Sequence, residues 1–377
     1  MKKFFVTIFI SFILFSFKLY AIDTKAEQAI VMDFDTNEIL FEKNSNIKTP
    51  PASMTKIMTA YAAFDRIKNT DLSIDNECIV SANAYQKEGS TTFLEIDDKV
   101  SINELLKGII IQSGNDASIA LAECLAGTEE DFTKLMNVYA SRLDMKNTNF
   151  VNSHGLPNDN HYSTVMDLAL LSNSIIRDFP DLYHYFAEKN FTYNDIPQPN
   201  RNKLLSSVQG ADGLKTGFTK ASGWGIAGTA KRDNRRITVV INGANSSRIR
   251  LNEASNLINW AFSQTSQKQL VDEGQIITEV DVWLGDKPRV NLISSKKIIS
   301  TLSFDQIQLI ESSIEYKRPI AAPIKQDEIY GKLIINIEGK PNIEVDLVAQ
   351  ENVGNINPIL KVFAAMKYLI FGTSLDE

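Results

Sequence analysis

The rhythm of apolar and polar positions changes several times along the chain. Residues 4–17 form an apolar run broken only by Thr7, Ser11 and Ser16, behind Met1-Lys2-Lys3 and ahead of Lys18-Leu19-Tyr20-Ala21. A basic start, a short apolar stretch and a small residue predict a signal peptide over 1–21, cut after Ala21. The alternative, an uncleaved anchor, fits less well because the stretch is short for a bilayer. From residue 28 the pattern alternates about Asp35-Thr36-Asn37-Glu38, so Ala29-Ile30-Val31-Met32 and Ile39-Leu40-Phe41 read as a hairpin. Pro50-Pro51 ends the extended chain. Ile57, Tyr61, Phe64 and Ile67 then recur at helical spacing, which predicts a helix from near Ser53. Ser101-Ile102-Asn103-Glu104 has the pattern of a capping box, and another helix restarts after Gly114. Residues 165–176 read as helix and 214–217, 224–230 and 237–241 as strands. Residues 252–262 read as a helix with Ala254, Leu257, Ile258 and Ala261 on one face.

The polar stretch 263–269 predicts a linker, and beyond it the rhythm becomes short. Val280-Asp281-Val282-Trp283, Val290-Asn291-Leu292, Leu333-Ile334-Ile335 and Ile343-Glu344-Val345 are apolar runs separated by turns such as Gly285-Asp286-Lys287-Pro288. Many short strands with turn chemistry imply a small β-sandwich or barrel. In the tail, Ile359, Val362, Phe363, Met366, Leu369 and Ile370 share one arc of a helical wheel. That fits an amphipathic helix in a membrane interface; a helix docked on the β-domain is the alternative. The expected divisions are therefore 1–21, a mixed α+β domain over 22–268, a small all-β domain over 269–356, and the helix over 357–377.

Composition narrows the choices. A chain of 377 residues exceeds the usual single core, which agrees with two domains. The formal charge of −7 argues against a nucleic-acid binder, and two cysteines and three histidines leave little for a metal cluster. Neither a metal nor a cofactor is expected. Cys124 sits in an apolar helical stripe, where a buried free thiol is the plainer expectation. Export makes a Cys78–Cys124 disulfide the alternative.

Three short motifs carry candidate chemistry. In Ser53-Met54-Thr55-Lys56 the spacing puts the amine one turn from the hydroxyl at a helix start. A serine needs a base to act as nucleophile, and a lysine becomes one when burial and nearby cations lower its pKa. The Ser-x-x-Lys repeats at 45–48 and 294–297 open no amphipathic helix and are read as chance. Ser113-Gly114-Asn115 lies between two helices, exposing a hydroxyl for proton transfer and an amide for a substrate. Ser81-Ala82-Asn83 is its decoy. Lys215-Thr216-Gly217 lies on a strand, offering charge and a hydroxyl to a carboxylate, with Gly217 letting a ligand backbone approach. Each motif alone is more often chance than function. The set, in this order and on an exported chain, is the one found in penicillin-binding proteins and β-lactamases.

The sequence resembles the D-alanyl-D-alanine carboxypeptidases, the low-molecular-mass penicillin-binding proteins, over nearly the whole chain. The segments Thr49-Pro50-Pro51-Ala52-Ser53-Met54-Thr55-Lys56, Ser113-Gly114-Asn115-Asp116-Ala117, Ser153-His154-Gly155-Leu156-Pro157 and Asp212-Gly213-Leu214-Lys215-Thr216-Gly217-Phe218-Thr219 carry it. The resemblance implies a penicillin-binding-protein/β-lactamase-like catalytic domain, with an antiparallel sheet and a helical region. It implies an acylated Ser53, a general base Lys56, a proton route through Ser113, and substrate contacts from Asn115, Lys215, Thr216 and Gly217. The N–H groups of Ser53 and Phe218 are the implied oxyanion hole. Arg248 resembles an arginine near the substrate carboxylate, and His154 a histidine bordering the site. Phe218 departs from the family, where His is common, so only a backbone role carries over there. The implied substrate is the stem peptide of peptidoglycan, with β-lactams as inhibitors and the outer face of the cytoplasmic membrane as location. A β-lactamase is disfavoured by the lack of an acidic deacylation motif over 150–180. An endopeptidase or transpeptidase differs only in acceptor. A catalytically idle wall-binding protein is argued against by intact Ser53, Lys56 and Lys215.

Overall fold

A computed structural model describes residues 22–371; the signal peptide expected over 1–21 lies outside the described residues. The first part is built on an antiparallel sheet of β1 (Gln28–Asp33), β2 (Ile39–Lys43), β3 (Ala211–Thr219), β4 (Gly223–Arg232) and β5 (Arg235–Ala244), in the order β2-β1-β5-β4-β3. Side chains alternate across the sheet, and both faces are covered. Ile30, Met32, Leu214 and Val240 join one core with α1 (Lys56–Asn69), α2 (Ile102–Lys107), α3 (Asn115–Ala126), α4 (Glu129–Arg142) and α5 (Val165–Asp178). Ala29, Val31, Val239 and Ile241 pack instead against Ala254, Leu257, Ile258 and Ala261 of α6 (Ser247–Gln264). The hairpin, the helix from Ser53, the α6 face and the Ser101–Glu104 capping box stand as the sequence predicts. The sequence reading missed α4, whose apolar Phe132, Met136 and Tyr139 follow an acidic first turn capped by Thr128.

Cys78 and Cys124 are joined, with Cα atoms 5.5 Å apart, which corrects the expectation of a free thiol. The bond ties the short strand Glu77–Ile79 to α3, an arrangement no helical periodicity could reveal. It closes a loop with a sequence separation of 46, so reduction removes a constraint on the unfolded chain. Denaturant titration with and without dithiothreitol should show a loss of about 2–4 kcal/mol on reduction.

The predicted linker over 263–269 does not exist. Gln264 ends α6, and β6 (Thr265–Val271) begins at once and pairs with β9 (Ile298–Ser303). The stretch is polar because it binds the first part. Gln267 donates to Asp33 and Asp35 at 2.9 Å each, and Arg235 donates to the Thr265 carbonyl and hydroxyl at 2.6 Å. Glu38, in the turn of the first hairpin, accepts from Ser300 at 2.6 Å and pairs with Lys340 at 3.0 Å. The second part is a sandwich, as the short rhythm implied. The β6–β9 pair faces a six-stranded sheet of β7 (Ile276–Trp283), β8 (Arg289–Ser294), β10 (Glu311–Tyr316), β11 (Ile320–Ala321), β12 (Ile329–Asn336) and β13 (Ile343–Ala349). Val271 and Leu302 from the pair share one core with Val280, Leu292, Leu333 and Leu347. The tail forms α7 (Pro358–Phe371), whose Ile359, Leu360, Val362, Phe363 and Met366 are exposed rather than docked.

Candidate active site

Ser53 lies in a single 3-10 turn, Ala52–Thr55, that runs directly into α1. Pro50-Pro51 stops the preceding extended chain, and Ala52 turns the corner at a φ of 50°. A non-glycine residue in that region is strained and is held there only by its surroundings. Gly155 supplies part of the hold: a Cβ there would stand 1.9 Å from the Ala52 carbonyl oxygen. Gly217 is a second close approach. Its absent side chain leaves room for Pro51, Ala52 and Met54, within 3.0–3.3 Å of where a Cβ would sit. The expected room for a ligand backbone at Gly217 is joined by a packing reason: β3 lies against the nucleophile turn.

Lys56 is fully buried, as the helical spacing demands. Its Nζ lies 3.3 Å from Ser53 Oγ and donates to Asn115 Oδ1 at 2.7 Å and to the His154 carbonyl at 2.5 Å. No carboxylate among the described residues pairs with it. Burial, seconded by the charge of Arg201, pushes the amine down to about 7. From an ordinary 10.5 that is roughly 5 kcal/mol against the ammonium form.

Ser113 follows an irregular turn of the helix, Gly108–Gln112, and adopts a φ of 72°. Its Oγ accepts from Lys215 Nζ at 2.9 Å. Lys215 is also buried, and burial followed by the charges of Lys56, Arg201 and Arg250 lowers its pKa well below the usual lysine range. Asn115 is shared: its Oδ1 holds Lys56 and one Nδ2 hydrogen goes to the Glu88 carbonyl at 2.7 Å, while the second Nδ2 hydrogen has no protein partner among the described residues. The His154 ring is buried and stays neutral, its pKa pushed to about 2 by burial and then by Lys56. What His154 brings to the site is its carbonyl. The decoys are structural: Ser81 caps a short helix, and the Ser45 and Ser294 hydroxyls bond locally.

Ser53 and Ser113, each bonded to a buried lysine, border one groove of about 450 Å³. Ser53 and Ser113 form one wall, and Thr216, Gly217 and Phe218 the other. Phe218 stacks on Trp224 with ring centroids 4.1 Å apart, so the residue that departs from the family is held as an apolar lip. Arg248 is corrected. It is exposed and lies outside the groove, whereas Ser247 and Arg250 line it. Ser246 caps α6, and positions three apart share a face, so the groove receives 247 and 250 while 248 points away. Arg250 is buried, its Nε has no hydrogen-bond partner among the described residues, and burial pushes its pKa to about 10. Arg201 is a further cation the sequence reading missed; it donates to Ser90 at 2.7 Å and lies in a polar run without pattern. The groove therefore gathers a hydroxyl, a lowered amine, the buried Lys215 and Arg250 and the exposed Arg201, none paired with a carboxylate among the described residues.

A hydroxyl beside a neutral-prone amine, facing an edge strand with a cationic end, defines a serine hydrolase that works through acyl transfer. The comparisons make this particular. Residues 16–246 match the model of the D-alanyl-D-alanine carboxypeptidase family, and residues 266–355 match the penicillin-binding protein 5 C-terminal domain. The D-alanyl-D-alanine carboxypeptidase DacC of Escherichia coli K12 is 38% identical over 332 residues, 86% of this chain and 83% of that protein. The solved D-alanyl-D-alanine carboxypeptidase DacD of Francisella tularensis superposes with a TM-score of 0.80 at 31% identity, covering 89% of this chain and 95% of that one. Penicillin-binding protein D2 of Listeria monocytogenes, solved in its ampicillin-bound form, matches at 31% identity and a TM-score of 0.59 over 65% of this chain and 99% of its own. The chain belongs to the D-alanyl-D-alanine carboxypeptidase family.

Proposed function

We infer that the protein is a serine-type D-Ala-D-Ala carboxypeptidase that trims peptidoglycan stem peptides and is acylated by β-lactams. The observation that carries the reading is the buried Lys56 amine, 3.3 Å from the Ser53 hydroxyl and without a carboxylate partner among the described residues. Neutral Lys56 takes the Ser53 proton as Oγ bonds to the carbonyl carbon of the penultimate D-alanine. The Ser53 and Phe218 N–H groups receive the oxyanion. The C–N bond breaks, the proton passes through Lys56 and Ser113 to the departing amine, and D-alanine leaves. Water then attacks the ester and returns the proton to Ser53. Lys215, Thr216 and Arg250 hold the terminal carboxylate, because buried cations gain most from an anion that water does not screen.

The catalytic unit runs over 22–264 and the β-domain over 265–356, the boundary moving to the end of α6. The helix α7 (Pro358–Phe371) lies in the membrane interface, with its exposed apolar residues in the acyl boundary. Among the described residues no helix is long and apolar enough to cross a membrane. Export by the leader over 1–21 puts the enzyme on the outer face of that membrane.

Release of D-alanine from a pentapeptide tests the reading against cleavage of cross-linked dimers. The expected result is D-alanine release exceeding cross-link cleavage. Arg250→Ala should raise KM about tenfold or more by removing a carboxylate contact, while Arg248→Ala should leave it unchanged. Cross-link cleavage without D-alanine release would overturn the carboxypeptidase assignment.

A further inference from the structure

The helix α4 contributes nothing to the walls of the groove, yet its first residue reaches the catalytic amine through Ser153 and the His154 carbonyl. Glu129 Oε1 accepts from the Ser153 N–H at 2.8 Å and from the Ser153 hydroxyl at 2.6 Å. The Ser153 carbonyl accepts from Thr59 of α1 at 2.6 Å. Ser153 is therefore gripped on both sides, and the next carbonyl along the chain, that of His154, is the one that takes the Lys56 ammonium at 2.5 Å. The His154 ring completes the contact. Its Nδ1 accepts from the Leu156 N–H at 3.1 Å, so the proton of the neutral ring sits on Nε2. That atom is buried, has no hydrogen-bond partner among the described residues, and faces the same Glu129 oxygen at 3.5 Å.

The geometry points to Glu129 as a positioning residue for the acyl-transfer reaction: by clamping Ser153 it fixes the His154 carbonyl that holds Lys56 beside Ser53. This role rests on the acyl-enzyme reading above. A carbonyl with two-sided support at its neighbour cannot swing away when Lys56 gains or loses its proton. The amine is then returned to the Ser53 hydroxyl on each turnover. Glu129 also acts as a charge. The groups around Lys56 are Asp116 on α3, Glu129 on α4, His154 and His161 on the loop, Lys215 on β3, and Arg201. Asp116 and Glu129 are the two that favour the ammonium, while Arg201 opposes it.

The two contributions separate in two variants of the full chain. Glu129→Gln keeps an oxygen acceptor for Ser153 and removes only the charge. Glu129→Ala removes both. The rate of acylation by a fluorescent penicillin is followed from pH 5 to 9, with kcat and KM for D-alanine release measured alongside. For Glu129→Gln we expect a plateau within about twofold of wild type and an acid limb moved to lower pH by about half a unit, since the neutral amine then persists further into acid. For Glu129→Ala we expect the plateau and kcat to fall about tenfold or more with KM little changed, the mark of a misplaced base rather than a damaged substrate site. A wild-type plateau in Glu129→Ala overturns the positioning role whatever happens to the melting temperature, and an unmoved acid limb in Glu129→Gln overturns the charge contribution. If Glu129→Ala does not fold, Ser153→Ala, which loses the hydroxyl half of the clamp, takes its place, and a wild-type plateau there overturns the role. A wild-type chain that is not acylated removes the acyl-enzyme reading and this role together.

Discussion

Ser53→Ala will take up no β-lactam and release no measurable D-alanine, while folding as the wild type does. The loss should be about 10⁴-fold or more, because removing a nucleophile leaves only the binding and oxyanion contributions to act on a bound water. The fold should tolerate the change. Ser53 is half-buried, and among the described residues its side chain bonds only to Lys56, whose Nζ keeps the Asn115 and His154 acceptors. The check is intact mass spectrometry after incubation with a labelled penicillin, followed by peptide mapping. Wild-type protein should carry one adduct on the peptide containing Ser53, and Ser53→Ala should carry none. An adduct that survives in the variant would move the nucleophile to another hydroxyl, and Ser113 is the next candidate by position. A lowered melting temperature with retained acylation would sink the assignment equally.

How much of this site could be read from residues alone depends on what each residue does. Ser53, Lys56, Ser113 and Lys215 were legible because local rules placed them. A proline stop, a helical repeat and an i, i+3 spacing put hydroxyl and amine together, and the break after Gln112 and the strand pattern around Lys215 fixed the other two. The distances of 3.3 Å from Ser53 to Lys56 and 2.9 Å from Ser113 to Lys215 are the tertiary outcome of those rules. The sheet, its helical cover and the short-stranded second part were legible for the same reason, since their periodicities are strong. What escaped reading depends on contacts between distant segments. Arg250 replaced Arg248 because the start of α6 sets which of two nearby arginines turns inward. The linker over 263–269 proved to be the end of α6 and the start of β6, whose Gln267 bonds to Asp33 and Asp35 far back in the chain. Cys78 and Cys124 pair across a fold that neither local sequence describes. Arg201 and Glu129 sit in polar runs where any charged residue satisfies the pattern, and only the folded chain shows what they face.

Lys56 should give the second large effect, and its sign follows from burial. The amine is driven down to about 7, chiefly by burial and then by the charge of Arg201, against the pull of Asp116 and Glu129. The base-competent form is the neutral one, so acylation should rise with pH through about 7 and level off above it, which is the opposite of a reaction needing the ammonium. An exposed lysine would put that limb near 10, outside the useful range. Lys56→Gln keeps a chain of similar length and can still donate to the His154 carbonyl, but it cannot accept the Ser53 proton. Acylation should fall about 10²–10⁴-fold, and the limb near 7 should vanish from whatever rate remains. Lys56→Arg preserves charge and hydrogen bonding yet cannot lose its proton, so it should be no better than the glutamine variant. Stopped-flow acylation of the three proteins between pH 5 and 9 reads both effects at once. A glutamine variant that keeps the limb would assign it to another group, and an arginine variant with near-wild-type rates would show that positive charge, not proton transfer, is what position 56 supplies.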